Sequence, residues 1–354
     1  MNEAPQGHRR VAIFNDTSLG GHYGCYAVMN VLVSQLRQQN IAPVVFWPCS
    51  QDWRQYKQKI ESLGVDGLIV NGEGSIHSTR TRARAQFLTE LGPFCRDHLK
   101  IPSAIVNASF YNLDDQAFRN LAAFGIISTR ESRSQSYLSE HGITSLLVPD
   151  FSFFSPLHAD VKRDRSGVFV TDSVFKSTRK ALEKLTSDFG FHYEVMKQVP
   201  KTNSHLGLQF KKIGRELKKF LNKMNPRPPF CHKPFINEDF EGFLERLRSS
   251  KNVLTGRFHT ATLAIATKTP VMAIESNTPK ISAVFYDVFG STDRARPLDE
   301  TSLPEYFHEA AQSFPYSEHE LAAIDRYLTK GKFELNQLFD NLAQTLNDPS
   351  NHDT

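Results

Sequence analysis

Short, nearly continuous apolar runs alternate with longer stretches whose apolar residues recur at helical spacing. The runs at 11–15, 42–47, 67–71, 103–107, 125–128 and 146–148 are predicted strands. Between them, 24–38, 83–99, 114–124 and 131–141 are predicted helices, and 51–63 is amphipathic. In the first helix the repeat is carried by Ala27, Val28, Val31, Leu32 and Leu36. The alternation stops near 149–156, passes a charged run at 162–165, and then resumes. Strands are predicted at 167–171, 192–196, 252–255 and 270–274, with helices at 177–189, 240–248 and 261–266. A long helical stretch, 318–346, closes the pattern, and the tail from 348 should fray.

Strand–helix alternation builds parallel sheets through right-handed crossovers. Two such series predict an α/β protein of two Rossmann-like domains whose parallel sheets face each other across a cleft, a GT-B-like architecture. The expected units are 1–156, 157–316, and a C-terminal helical segment, 317–354, that crosses back to the first domain. Ligands of open α/β sheets sit at the carboxyl ends of the strands, so the cleft is the expected site.

Composition narrows the class. With 40% hydrophobic and 23% charged residues, each unit can bury a core, and disorder is excluded. A net charge of +4 suits a protein that handles anions but is too weak to indicate nucleic acid. The polar first ten residues and the four-residue apolar run 11–14 do not make a signal peptide, so a cytoplasmic protein is expected. Cys25, Cys49, Cys95 and Cys231 form no CxxC pair and are expected as free thiols. No His, Asp or Glu cluster has ligand spacing, so neither metal nor cofactor is expected.

The most informative stretch is Asn252-Val-Leu-Thr-Gly-Arg-Phe-His259. A strand ends at Thr255, and a helix is expected from about Thr260. Arg257 and His259 therefore lie at a helix amino terminus, where backbone N–H groups favour anions. Arginine can clamp a carboxylate or phosphate, and histidine can bind phosphate or move a proton. An ion pair for Arg257 and a capping role for His259 is the structural alternative. Gly20-Gly-His-Tyr-Gly24 joins the first strand to the first helix without a complete phosphate-loop pattern. His22 there is either a cleft residue or a core histidine.

The segment from Arg257 through Gly290 carries Arg-Phe-His, Thr-Pro-Val, Lys280 and Phe289-Gly290. It resembles the carboxy-terminal signature of the polysaccharide pyruvyl transferase family. Asn71-Gly-Glu-Gly-Ser-Ile-His77 is similar to that family's glycine-rich turn after a strand. Ser128-Thr-Arg-Glu-Ser132, with Tyr137-Leu138, Gly142 and Val148-Pro-Asp150, is similar to its central arginine segment and the aspartate that follows.

The resemblance implies a GT-B-like fold, phosphoenolpyruvate (PEP) as donor substrate and a glycan sugar, free or lipid-linked, as acceptor. It implies that Arg257 and His259 hold PEP, with Arg130 reaching from the first domain and Lys280 matching a family position. Ketal formation needs a proton at the PEP methylene and a base near the sugar. His259 is the candidate acid and phosphate ligand. Glu73, Asp150 and Asp16 are candidate bases, with turn or capping carboxylates as the alternative. Glu73 stands where many family members carry glycine. Gly72, Gly74, Ser75, His22 and His77 are expected to line the cleft. Arg80, Arg82 and Arg84 meet either an anionic acceptor or solvent.

The stretch 210–224 places Phe210, Ile213, Leu217, Phe220, Leu221 and Met224 on one helical face and lysines around the rest. It reads either as a helix docked on its own domain or as one lying on the inner face of an anionic membrane. Two other functions compete with pyruvyl transfer: a glycosyltransferase of the same fold using a nucleotide sugar, and a non-catalytic glycan-binding relative.

Overall fold

In the computed structural model, residues 8–155, 164–197 and 229–347 are described. The basic amphipathic stretch 210–224 and the expected boundary at 156/157 lie outside them.

The first sheet comprises β1 (Arg9–Asp16), β2 (Ile41–Pro48), β3 (Gly67–Glu73), β4 (Ser103–Ala108), β5 (Ile126–Thr129) and β6 (Leu146–Leu147). Their order is β2-β1-β3-β4-β5-β6, and each pairing is parallel. The second sheet comprises β7 (Val168–Ser173), β8 (His192–Glu194), β9 (Asn252–Gly256), β10 (Val271–Ile274) and β11 (Ala295–Arg296), in the order β11-β10-β9-β7-β8 and again parallel. Strands β3, β4, β7, β9 and β10 are buried along their whole length, because helices cover both faces of a parallel sheet. The fold is the expected pair of α/β units.

Local departures have physical causes. The helix expected over 83–99 is three pieces, Ala83–Thr89, Leu91–Phe94 and a π-helical turn at Cys95–Leu99. Pro93 lacks the N–H that would have bonded back to Thr89. Within 51–63 only Lys57–Glu61 is α-helical, after a 3₁₀ turn at Arg54–Tyr56. The helix expected to open near Thr260 already begins at Phe258. Strand β3 runs through Gly72 to Glu73, so Gly72 serves strand packing rather than a turn. A Cβ on Gly72 would lie 2.4 Å from the Ala108 Cβ of β4. Helices Lys280–Phe289 and Leu303–Ala311 were not predicted from the pattern.

Two helices tie the units together and set the cleft. In helix Tyr23–Gln38, Val28, Leu32 and Leu36 pack into the first core, while Tyr23 and Ala27 pack into the second. The C-terminal helix Glu318–Asn347 places Leu335, Leu338, Phe339, Leu342 and Leu346 on the first core and Ile324 on the second. Gly331 lets that helix approach the 149–154 loop, since a Cβ there would meet Pro149 Cγ at 2.5 Å. Polar contacts also join the units. Ser152 and Thr262 share a 2.6 Å hydroxyl contact, and the Ser132 N–H donates to Asp287 at 2.8 Å. Among the described residues no helix is long and apolar enough to cross a membrane.

Candidate active site

The carboxyl ends of β1, β3 and β5 in the first sheet and of β7 and β9 in the second bring most of the predicted residues together. Arg257 is the N-cap of helix Phe258–Ala266, with extended backbone and no side-chain cap. Its guanidinium forms a bidentate pair with Asp172 at the end of β7, where Nε donates to Oδ1 at 2.9 Å and Nη2 donates to Oδ2. The ion pair is thus within the second unit. Among the described residues Arg257 Nη1 makes no hydrogen bond. Asp172 is itself fixed by the Met196 N–H at 3.1 Å.

His259 lies in the first turn of the same helix and is 8% exposed. Its Nε2 has no hydrogen-bond partner among the described residues, and Asp150 Oδ2 stands 3.8 Å away. Gly24, in the first turn of helix Tyr23–Gln38, lies directly against it. A Cβ on Gly24 would fall 2.1 Å from His259 Cβ, so only glycine lets this helix start so close to the imidazole. His22 caps that helix by accepting from the Cys25 N–H at 3.4 Å, and its ring meets His259 edge-on at 5.8 Å. Burial first, then the charges of His259, Arg257 and Lys197, hold the His22 imidazole well below its ordinary pKa.

Arg130 follows β5 and is almost wholly buried. It donates to Ser109 Oγ and Asp150 Oδ2, both at 2.8 Å, and its guanidinium stacks 4.1 Å over the Phe258 ring. Asp150 is enclosed. Burial pushes its pKa up, but His259, Arg130 and Ser152 outweigh that and hold the carboxyl well below the usual range. Its Oδ1 takes the Ser152 N–H at 3.0 Å and the Ser152 hydroxyl at 2.5 Å. Both oxygens are thus committed, and Asp150 is held between Arg130 and His259.

Gly74 forms a gap between two cations. A Cβ there would stand 3.5 Å from Arg130 Nη2 and 3.6 Å from Lys280 Nζ. Lys280 opens helix Lys280–Phe289 and donates to the neutral Asn277 Oδ1 at 3.0 Å. Among the described residues no carboxylate lies within ion-pair distance of it. Burial and then the Arg130 charge push its pKa down to about 8. His77 is near the same ammonium, and burial followed by Arg82 and Lys280 pushes its pKa down to about 4. Ser75 holds the loop after β3, donating its N–H to Gly72 O at 3.0 Å and accepting from Asn15 at 3.1 Å.

Two buried carboxyls end β1 and β3. Glu73 has a positive φ of 41°, an uncommon conformation for a residue with a side chain. Its carboxylate accepts from Thr17, from Asn71 at 3.0 Å and from the Cys25 thiol at 3.4 Å. Asp16 accepts from Ser18 through Oδ1, while its buried Oδ2 has no partner among the described residues. Burial is the main reason that Asp16 titrates above its ordinary value.

A family model described as polysaccharide pyruvyl transferase matches residues 22–278. The chain belongs to the polysaccharide pyruvyl transferase family. The match spans His22, Glu73, Arg130, Asp150, Arg257 and His259 and stops two residues short of Lys280. A search of curated proteins found no match. Among solved structures, the chain is similar to UDP-GlcNAc 2-epimerase from Neisseria meningitidis bound to UDP-GlcNAc. The identity is 10%, over 91% of this chain and 99% of that one, with a TM-score of 0.50. It is also similar to the Methanocaldococcus jannaschii UDP-GlcNAc 2-epimerase, with 12% identity over 92% and 99% of the chains and a TM-score of 0.49. At this identity the likeness is one of fold.

Three members of the site were not singled out from the sequence. Asp172 gives no local motif, because its partner is 85 residues away. Cys25 reads as an ordinary helical residue. Gly24 belongs to the cluster Gly20, Gly21 and Gly24, and that run of glycines was the available sign of close helix approach.

Proposed function

We propose that this member of the family moves the pyruvyl group of PEP onto sugar hydroxyls of a surface polysaccharide, forming a ketal and releasing phosphate. The observation that carries the reading is the meeting of Arg130, Arg257 and Lys280, from both units, around His259. Lys280 has no carboxylate within ion-pair distance among the described residues, and burial lowers its proton affinity. A small ligand carrying both carboxylate and phosphate, as PEP does, offsets that loss.

In this reading the Nη1 edge of Arg257, Arg130 Nη2 and Lys280 Nζ hold the two anionic groups, with Gly74 leaving room between the last two. His259, beside Asp150, binds the phosphate and delivers a proton to the methylene carbon, which turns the neighbouring carbon into an oxocarbenium-like centre. A first sugar hydroxyl adds to that carbon and gives up its proton to Glu73, beside Asp16. The C–O bond to phosphate then breaks, and a second hydroxyl closes the ring. Its proton leaves with phosphate, and the proton held by Glu73 returns to His259 through solvent, which closes the cycle. General acid and general base steps of this kind each contribute about 10²–10⁴-fold.

Calorimetric titration with PEP, UDP and GDP tests the donor. The expected result is binding of PEP, lost in Arg257→Ala. Binding of UDP or GDP without PEP would move the chain to nucleotide-sugar chemistry, and retained PEP affinity in the variant would remove Arg257 from the site.

A further inference from the structure

Beside the cation cluster lies a second constellation with its own chemistry. His22, Cys25 and His259 each present one ligand atom, and the three atoms all lie within 4.8 Å of one another. A tetrahedral zinc ion, with bonds of about 2.0–2.3 Å, holds its ligand atoms roughly 3.5 Å apart. Rotation of three side chains by about 1 Å therefore closes the set. We infer that His22, Cys25 and His259 form a transition-metal site of the zinc type, with a fourth position open to water or a substrate oxygen.

Three features support this beyond proximity. The first is Nε2 of His259, in a residue nine-tenths buried; among the described residues it has no hydrogen-bond partner, with Asp150 Oδ2 3.8 Å away. Leaving such an atom unpaired costs about 1–3 kcal/mol unless a ligand takes it. The second is the surrounding carboxylates. Glu73 Oε2, 3.4 Å from the Cys25 sulfur, accepts its proton, and Asp150 Oδ2, 3.8 Å from His259 Nε2, adds negative charge beside the position a cation would take. The third is donor type. Two imidazoles and one thiolate select a borderline-soft ion such as zinc over magnesium or calcium.

Binding is a simple substitution. The two neutral imidazoles and the cysteine thiolate donate lone pairs to the metal. The thiol proton leaves through its hydrogen bond to Glu73 and on to solvent. No electron is transferred. The ligands come from the first turns of two helices in different units, so an ion there would also pin the units together. A metal on His259 takes the imidazole that the proposed proton transfer uses, so the ion and that step exclude each other; the site does not depend on PEP as donor, and it is tested with metal alone.

The test titrates the untagged full chain with cobalt(II), followed by zinc in competition. The expected result is one equivalent of cobalt with a thiolate-to-metal charge-transfer band and tetrahedral visible absorption, displaced by zinc. Cys25→Ser should remove the charge-transfer band. His22→Asn keeps a helix-capping acceptor, so it should preserve the fold while weakening metal binding by more than the roughly 10–100-fold that loss of an outer-shell partner costs. Cys231→Ser, at an exposed thiol, should leave the spectrum unchanged. Circular dichroism confirms folding of each variant. Absence of the band at millimolar cobalt, its survival in folded Cys25→Ser, or its loss in Cys231→Ser would overturn the assignment.

Discussion

Replacing Lys280 with methionine should strengthen the fold and weaken donor binding at the same time. The lysine pKa falls from 10.5 to about 8, first through burial and then through Arg130. That drop corresponds to about 3 kcal/mol held against the charged form. Lys280 retains partial solvent contact, so a stabilisation of about 1–2 kcal/mol is expected for Lys280→Met at pH 7. The sign follows from proton counting. Between pH 8 and 10.5 the unfolded lysine binds a proton that the folded one has released. Wild-type stability should therefore rise with pH across this window relative to Lys280→Met.

Donor affinity should move the other way. Losing a charged hydrogen-bond donor costs about 1.5–3 kcal/mol, or about 10–100-fold in the PEP dissociation constant. Wild-type affinity should fall as pH rises through 8, and the variant should lack this fall. Urea unfolding at pH 7 and about pH 9.5, with PEP calorimetry over the same range, reads both effects. A variant that is less stable at pH 7, or one that binds PEP as tightly as wild type, would refute the reasoning. The opposite signs mark a group kept for a ligand at the expense of the fold.

Other substitutions separate packing from chemistry. Gly72→Ala drives a methyl into Ala108 of β4 and should lower stability by about 1–3 kcal/mol in denaturant unfolding. Gly74→Ala meets Arg130 and Lys280 only at ordinary contact distance, so it should fold normally and weaken PEP binding in calorimetry. Glu73→Gln should lower kcat by about 10²-fold or more while PEP affinity stays within about twofold, as expected for a base that meets only the acceptor. Arg130→Met leaves the buried Asp150 carboxylate without its ion pair and should cost about 3–5 kcal/mol of stability in urea unfolding. Replacing Asp150 with leucine in the same chain should recover part of that loss.

The sequence by itself determined the layered architecture, because strand and helix periods differ and buried parallel strands read as continuous apolar runs. It also pointed to Arg257, His259 and Arg130, since each follows directly on a strand and shares a motif with a family that spans 257 residues of this chain. Boundaries were less legible. Pro93 breaks a helix through a missing hydrogen bond, and Gly72 reads as a turn although it is packed strand. The partnerships depended on tertiary structure. Asp172 and Arg257 are 85 residues apart, and Gly24 and His259 are separated by 235 positions. Such pairs leave no spacing signal: Asp172 meets Arg257 because β7 and β9 lie side by side in the second sheet, and Gly24 meets His259 because the two units pack together. The same is true of His22, Cys25 and His259, which no short motif unites, and of Lys280, whose lowered proton affinity comes from burial and an arginine on the opposite unit.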